Sequence, residues 1–229
     1  MHAALPPADL LPVSRRANLP YRVIRAIASP LAHLVFRFEV EGREHVPRDG
    51  AYIVIANHLG WADWLSILLN FPAEPRIHFL GDPTGLVKRP VEWFLVRKTG
   101  GYVPVDKSSH GDGALYRHVY RCLEAGGAIA IFPEGSYGTG EGQLLPFRKG
   151  FAHFAIKAGV TVVPVGLAGA ERIWLGKRIR MRIGEPIRPA GQTPEGLTAL
   201  GEQQVRRLMP AYQDPGGRQL LAAWLTKLF

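Results

Sequence analysis

Two residues of this 229-residue chain have a type and spacing that could do chemistry: His58 and Asp63, five positions apart. Before them, Ala51–Ala56 is a short apolar run rich in β-branched residues, as a buried strand should be. After them, Trp61, Trp64, Leu65, Leu68 and Leu69 recur at helical spacing. On one regular helix, residues five apart point about 140° away from each other. Contact therefore requires His58 in a strand-to-helix turn and Asp63 in the first turn of the helix. Backbone amides there favour a carboxylate, and the contact would fix the imidazole tautomer and raise its basicity. That is a general base with its orienting partner. The same spacing fits a surface histidine in a loop beside an aspartate that stabilises a helix start, and spacing alone leaves both readings open.

The elements that must position this pair read as an α/β fold: a single domain with a central, mostly parallel or mixed β-sheet flanked by helices. Residues 1–18 are expected to be a flexible N-terminus and 19–229 one domain. Within it the pattern predicts an amphipathic helix over 19–38, a core over 39–190 and C-terminal helices over 191–229. Asn18 can cap the first helix, and Pro30 is expected to kink or split it. Val23, Ile24, Ile27, Leu31, Leu34, Val35 and Phe38 fall on one side of its wheel, with Arg22, Arg25, Ser29, His33 and Arg37 on the other. Such a helix suits the interface of an anionic bilayer, and equally a surface helix packed on the core with solvated arginines. Strands are expected at 77–80, 102–105, 128–132 and 161–165. Arg178–Ile183 alternates strictly and reads as a half-exposed strand with a basic outer face, each arginine taken singly fitting better a solvated sheet edge protected by charge. Ligands of such folds gather at the strand ends.

Composition narrows the function classes. With 47% hydrophobic and 21% charged residues the chain is globular, and its net charge of +9 favours anionic partners. The basic residues are dispersed and no nucleic-acid motif occurs, so nucleic acid is not an expected partner. Cys122 is the single cysteine; it shares a helical stripe with Leu115, Val119 and Leu123 and reads as core. No His/Cys cluster suggests a metal. Pro6, Pro7, Asp9 and Pro12 interrupt any signal-peptide core, and no run reaches the ~20 apolar residues of a membrane span.

Three more motifs fall at expected strand ends: Gly101–Lys107, Phe132–Ser136 and Val162–Gly166. Each is weak alone, but the ordered set resembles the glycerolipid acyltransferase family, best known for the 1-acyl-glycerol-3-phosphate acyltransferases. Asn57, His58 and Asp63 match the family's Asn-His motif with Asp five residues later. Gly101-Tyr102-Val103-Pro104-Val105-Asp106-Lys107 resembles the second motif and Phe132-Pro133-Glu134-Gly135-Ser136 the third. Val162-Val163-Pro164-Val165-Gly166 matches the fourth, and Pro146-Phe147-Arg148-Lys149-Gly150 looks like the basic segment that follows the third. The likeness covers about residues 35–190. It departs from the family twice, with Lys107 and Tyr137 standing where arginine is usual. Lysine keeps the charge but lacks the bidentate fork for phosphate.

The resemblance implies a glycerol-3-phosphate acyltransferase-like fold and transfer of a fatty acyl group from an acyl thioester to a lysophospholipid hydroxyl. The thioester, acyl-CoA or acyl-ACP, would be a co-substrate, with no cofactor. His58 and Asp63 would be catalytic. Asn57, Gly101, Lys107, Glu134, Gly135, Ser136, Arg148 and Lys149 would bind substrate. Acyl carrier protein and an anionic membrane are the implied partners, at the cytoplasmic face of the cell membrane and without a span. Three alternatives stay open: another lyso-lipid or lipid-headgroup acceptor, a thioesterase that uses the same pair on water, and a non-catalytic basic membrane-binding module.

Overall fold

The computed structural model describes residues 13–82, 90–105, 113–213 and 222–227. In chain order the elements are α1 (Leu19–Val35), β1 (Phe36–Glu41), β2 (Tyr52–Ala56), α2 (Ala62–Asn70), β3 (Ile77–Gly81), α3 (Pro90–Thr99) and β4 (Tyr102–Pro104). They continue with α4 (Gly113–Glu124), β5 (Ala128–Ile131), α5 (Gly150–Ala158), β6 (Thr161–Ala168), β7 (Lys177–Ile183) and α6 (Pro194–Leu208). The seven strands make one sheet in the order β1-β7-β6-β2-β5-β3-β4. Every neighbouring pair is parallel except β6–β7. The carboxyl ends of β2, β3, β4, β5 and β6 therefore share one edge with the amino ends of β1 and β7.

The fully apolar runs became the interior strands because they are covered on both faces. Val54, Ala130 and Val163 pack under α2 with Ile67 and Phe71. On the opposite face Ile53, Ile55, Ile129 and Val162 meet Val119, Phe151, Leu197 and Val205 of α4, α5 and α6. Cys122 belongs to this second cluster, fully buried, as its stripe implied.

Three expectations change at the N-terminal side. Asn18 does cap α1, its Oδ1 accepting from Tyr21 N at 3.0 Å, but the helix runs unbroken through Pro30. It ends at Val35, three residues early, because Phe36–Glu41 pairs residue for residue with β7. β7 is accordingly an inner strand and not a sheet edge. Its arginines are met by glutamates of β1: Glu39 pairs with Arg178 at 2.9 Å and Arg180 at 2.8 Å, and Glu41 with Arg182 at 3.0 Å. The last predicted helix falls largely outside the described residues; Ala223–Lys227 is a 3-10 turn.

α1 is mounted with its polar side inward. Tyr21 is buried, and Arg25 donates to the carbonyls of Leu68, Leu69 and Phe71 at the C-terminal end of α2, where a cation is electrostatically favoured. Leu19, Val23, Ile27, Leu31 and Leu34 face solvent, between 49% and 79% exposed. No described helix is long and apolar enough to cross a membrane.

Candidate active site

The site forms where β2 and β5 end side by side. β2 is buried along its whole length, so the chain emerges at Ala56 in a fixed position. Asn57, also buried, staples this exit to β6: Nδ2 donates to Leu167 O at 3.0 Å, and Oδ1 accepts from Leu167 N at 2.7 Å. Its side chain is thereby turned into the sheet.

His58 follows in the turn and Asp63 in the first turn of α2. The two meet, with His58 Nδ1 2.8 Å from Asp63 Oδ2. The same oxygen accepts from the amides of Leu59 at 2.5 Å and Gly60 at 2.8 Å, while the carboxylate is fully buried. An oxygen that already accepts from two amides accepts again here, so Nδ1 carries a proton and donates it. The basic lone pair is then on Nε2. The side chain is 17% exposed, so it is not sealed in the core.

The opposite wall comes from the turn after β5. Glu134 Oε1 accepts from the His58 amide at 2.8 Å and Oε2 from the Leu145 amide at 2.8 Å. Burial pushes this carboxyl above the usual range, an effect that the amides of Leu145 and His58 partly counter. Phe132 stacks on the His58 imidazole with centroids 4.0 Å apart and planes 11° from parallel, and Tyr137 leans on it at 4.3 Å and 48°. Gly138 N donates to His58 O at 2.6 Å, closing the loop over the turn. Gly135 has φ +74°, a conformation that favours glycine, and a Cβ there would stand 2.7 Å from the guanidinium carbon of Arg148, which lies against the turn. Ser136 is exposed in the same turn.

Asn57, His58, Asp63, Glu134, Gly135, Ser136 and Arg148 thus gather at one edge. Two other named positions do not. Gly101 opens β4, so in a parallel sheet it lies at the amino ends of the strands, against the guanidinium of Arg76. Lys149 turns to Glu195 at the start of α6, 2.8 Å away, and its charge is met there. Lys107 lies outside the described residues. Sequence reasoning missed Phe132 and Tyr137 as walls of the imidazole. It also missed Leu145 and Leu167, which contribute only backbone atoms and so leave no residue-type signal.

The sequence profile described as Acyltransferase matches residues 37–168, which span this whole constellation. The 1-acyl-sn-glycerol-3-phosphate acyltransferase alpha of Homo sapiens is 24% identical over 207 residues, covering 84% of this chain and 70% of the relative. The 1-acyl-sn-glycerol-3-phosphate acyltransferase of Limnanthes alba is 27% identical over 150 residues, covering 63% of this chain and 50% of the relative. Among solved structures, the 1-acyl-sn-glycerophosphate (LPA) acyltransferase PlsC from Thermotoga maritima superposes with a TM-score of 0.66 at 26% identity, over 81% of this chain and 76% of that one. With over half its length inside the family profile and a solved relative that shares its sheet and helices, the chain belongs to the acyltransferase family and is an acyltransferase enzyme.

Proposed function

We propose that this acyltransferase moves a fatty acyl group from an acyl thioester to a hydroxyl of a lysophospholipid such as 1-acyl-glycerol-3-phosphate, a step of phospholipid biosynthesis. The observation that carries the proposal is the orientation of His58. With Nδ1 held by Asp63, Nε2 is left as a base at the open edge of the sheet. A neutral alcohol is a poor nucleophile near neutral pH, so His58 Nε2 takes its proton as the oxygen attacks the thioester carbonyl. The imidazolium, stabilised by Asp63, returns that proton to the departing thiolate as the C–S bond breaks and the ester remains. No acyl-enzyme is needed.

Glu134 serves this account as a positioning residue. Both its oxygens are engaged by amides, one of them that of His58 itself, so it fixes the base rather than the acceptor. Arg148, exposed and set against Gly135, is the cation best disposed to receive the acceptor's phosphate. The outward apolar face of α1 supports peripheral docking on a membrane at its cytoplasmic face, which delivers a lipid acceptor to the site without a span. Each of its side chains contributes on the order of 1.5–3 kcal/mol when fully buried, against about 0–1 kcal/mol for an exposed ion pair, so apolar contact dominates the docking.

The test is mass spectrometry of products from one acyl-coenzyme A and a panel of lyso-lipids. Formation of a diacyl phospholipid supports the reading, with 1-acyl-glycerol-3-phosphate the expected acceptor. Acyl release with no lipid product would replace it by thioester hydrolysis.

A further inference from the structure

We propose that the basic cleft on the outer face of β1 and β7 binds the phosphoadenosine end of a coenzyme A thioester, which makes coenzyme A the donor carrier. This rests on the acyl-transfer reading above and adds a site to it. The cleft has a volume of about 500 Å³ and is lined by Arg37, Arg178, Arg180, Trp174 and Tyr212. That volume falls in the range of small-molecule sites, roughly 300–1,000 Å³.

Its charge is in excess. The register pairs Arg37 with Arg178, so both guanidiniums project from the same face of the sheet. Glu39, two residues along, is the carboxylate shared by Arg178 and Arg180. Three guanidiniums thus face one carboxylate, and Arg37 has no acidic partner among the described residues. Guanidiniums suit phosphate because their forks bind it in two-point fashion. The aromatic wall is held in place by the buried Lys177, whose Nζ stands 3.7 Å from the Trp174 ring centroid and 4.6 Å from that of Tyr212. Aromatic planes beside guanidiniums are the usual setting for a nucleobase next to its phosphates.

Position selects the ligand further. β7 starts at the edge where β2 ends, with β6 alone between them, so the two strands lie about 10 Å apart across the sheet. A phosphopantetheine arm spans that distance and can carry a thioester from the cleft to the base. Glu141 ties the two regions together: it follows the Glu134 turn, and its Oε1 accepts from Gly169 N at 2.8 Å beside the end of β6. The cleft lies on the face opposite α1, since Phe36, Phe38 and Ile179 point toward that helix and Arg37, Arg178 and Arg180 point away. A lipid headgroup would approach from the α1 side, and a water-soluble polyanion from this one.

The experiment is calorimetric titration of the full chain with adenosine 3′,5′-bisphosphate, joined to the ratio of kcat/KM for acyl-coenzyme A over the same acyl thioester of pantetheine. The variant is the double substitution Arg37→Gln, Arg178→Gln, both residues being exposed. The bisphosphate should bind the wild type and the His58→Ala variant alike, and about tenfold or more weakly in the double variant, with the donor ratio falling by a similar factor. No binding to the wild type, or equal binding in the double variant, overturns the proposal; so does a donor ratio that does not change. Bisphosphate binding that the double substitution abolishes supports the cleft even if no lyso-lipid is acylated, the result that would instead overturn the acyl-transfer reading.

Discussion

Phe132 stacks almost parallel on His58, with planes 11° apart and centroids 4.0 Å apart, so the third motif contributes a wall to the histidine of the first. The aromatic ring at the end of β5 fixes the plane in which the imidazole can present Nε2. An aromatic pair of this kind is worth about 0.5–1.5 kcal/mol beyond its burial. Phe132→Leu should therefore lower kcat about three- to tenfold with a smaller change in either KM, as measured by steady-state kinetics. An unaltered kcat would mean that Asp63 alone orients the ring.

Glu134 separates two roles by kinetics. Glutamine in its place presents one oxygen and one NH2 to two amide donors, so one of the bonds to His58 N and Leu145 N is lost and replaced by a repulsion. Leaving a buried donor unsatisfied costs about 1–3 kcal/mol. Glu134→Gln should lower kcat about tenfold or more and leave the acceptor KM within about twofold. A raised acceptor KM at constant kcat would assign the carboxylate to the substrate.

His78 should contribute to the loss of stability in acid. His78 on β3 is buried beside Arg76, with Nδ1 3.1 Å from Cys122 Sγ, and burial, then the guanidinium, push its pKa down to about 4. The unfolded chain titrates this group near pH 6.5 and so binds more protons than the folded one between the two values. The sign follows: the contribution is present above about pH 6.5 and is lost as pH falls toward 4. The shift corresponds to about 3 kcal/mol. Urea denaturation at pH 7 and pH 4.5 should show a larger drop for the wild type than for His78→Leu, and equal drops would refute the assignment.

The outward face of α1 predicts how the protein meets lipid. Ile27→Glu with Leu31→Glu should cut co-sedimentation with phosphatidylcholine–phosphatidylglycerol vesicles about tenfold or more, because apolar burial supplies most of the binding. High salt should release little of the wild type. Since both positions are exposed, stability should stay within about 0.5 kcal/mol. Binding that salt abolishes and the double variant keeps would place the contact on the arginines.

The parts of the fold that were legible in the sequence are those in which one pattern has one physical cause. Ala51–Ala56, Ala128–Phe132 and Thr161–Val165 are apolar throughout because neighbours cover both faces, and each became an interior strand. β1 was not legible. Phe36-Arg37-Phe38-Glu39-Val40-Glu41 continues the apolar positions of α1, and Val35 and Phe38 satisfy a helical period as readily as a strand's. The orientation of α1 was not legible either, because amphipathicity marks two faces without saying which one the protein buries. Arg25 decides it by reaching the carbonyls that end α2, a contact 43 residues or more away along the chain. At the site, spacing and the strand-to-helix turn permitted the His58–Asp63 contact without requiring it, and the structure shows it made. The place of Gly101 required the strand direction, and the wall formed by Phe132 and Tyr137 required the β2–β5 neighbourhood, which no single motif records.

The central claim is that His58 is the base. Its most direct test is the rate of acyl transfer from acyl-coenzyme A to 1-acyl-glycerol-3-phosphate by His58→Ala, measured beside wild type of matched circular dichroism and melting temperature. The account predicts a fall of about 10²–10⁴-fold or more in kcat with the fold intact. Turnover close to that of the wild type would contradict it.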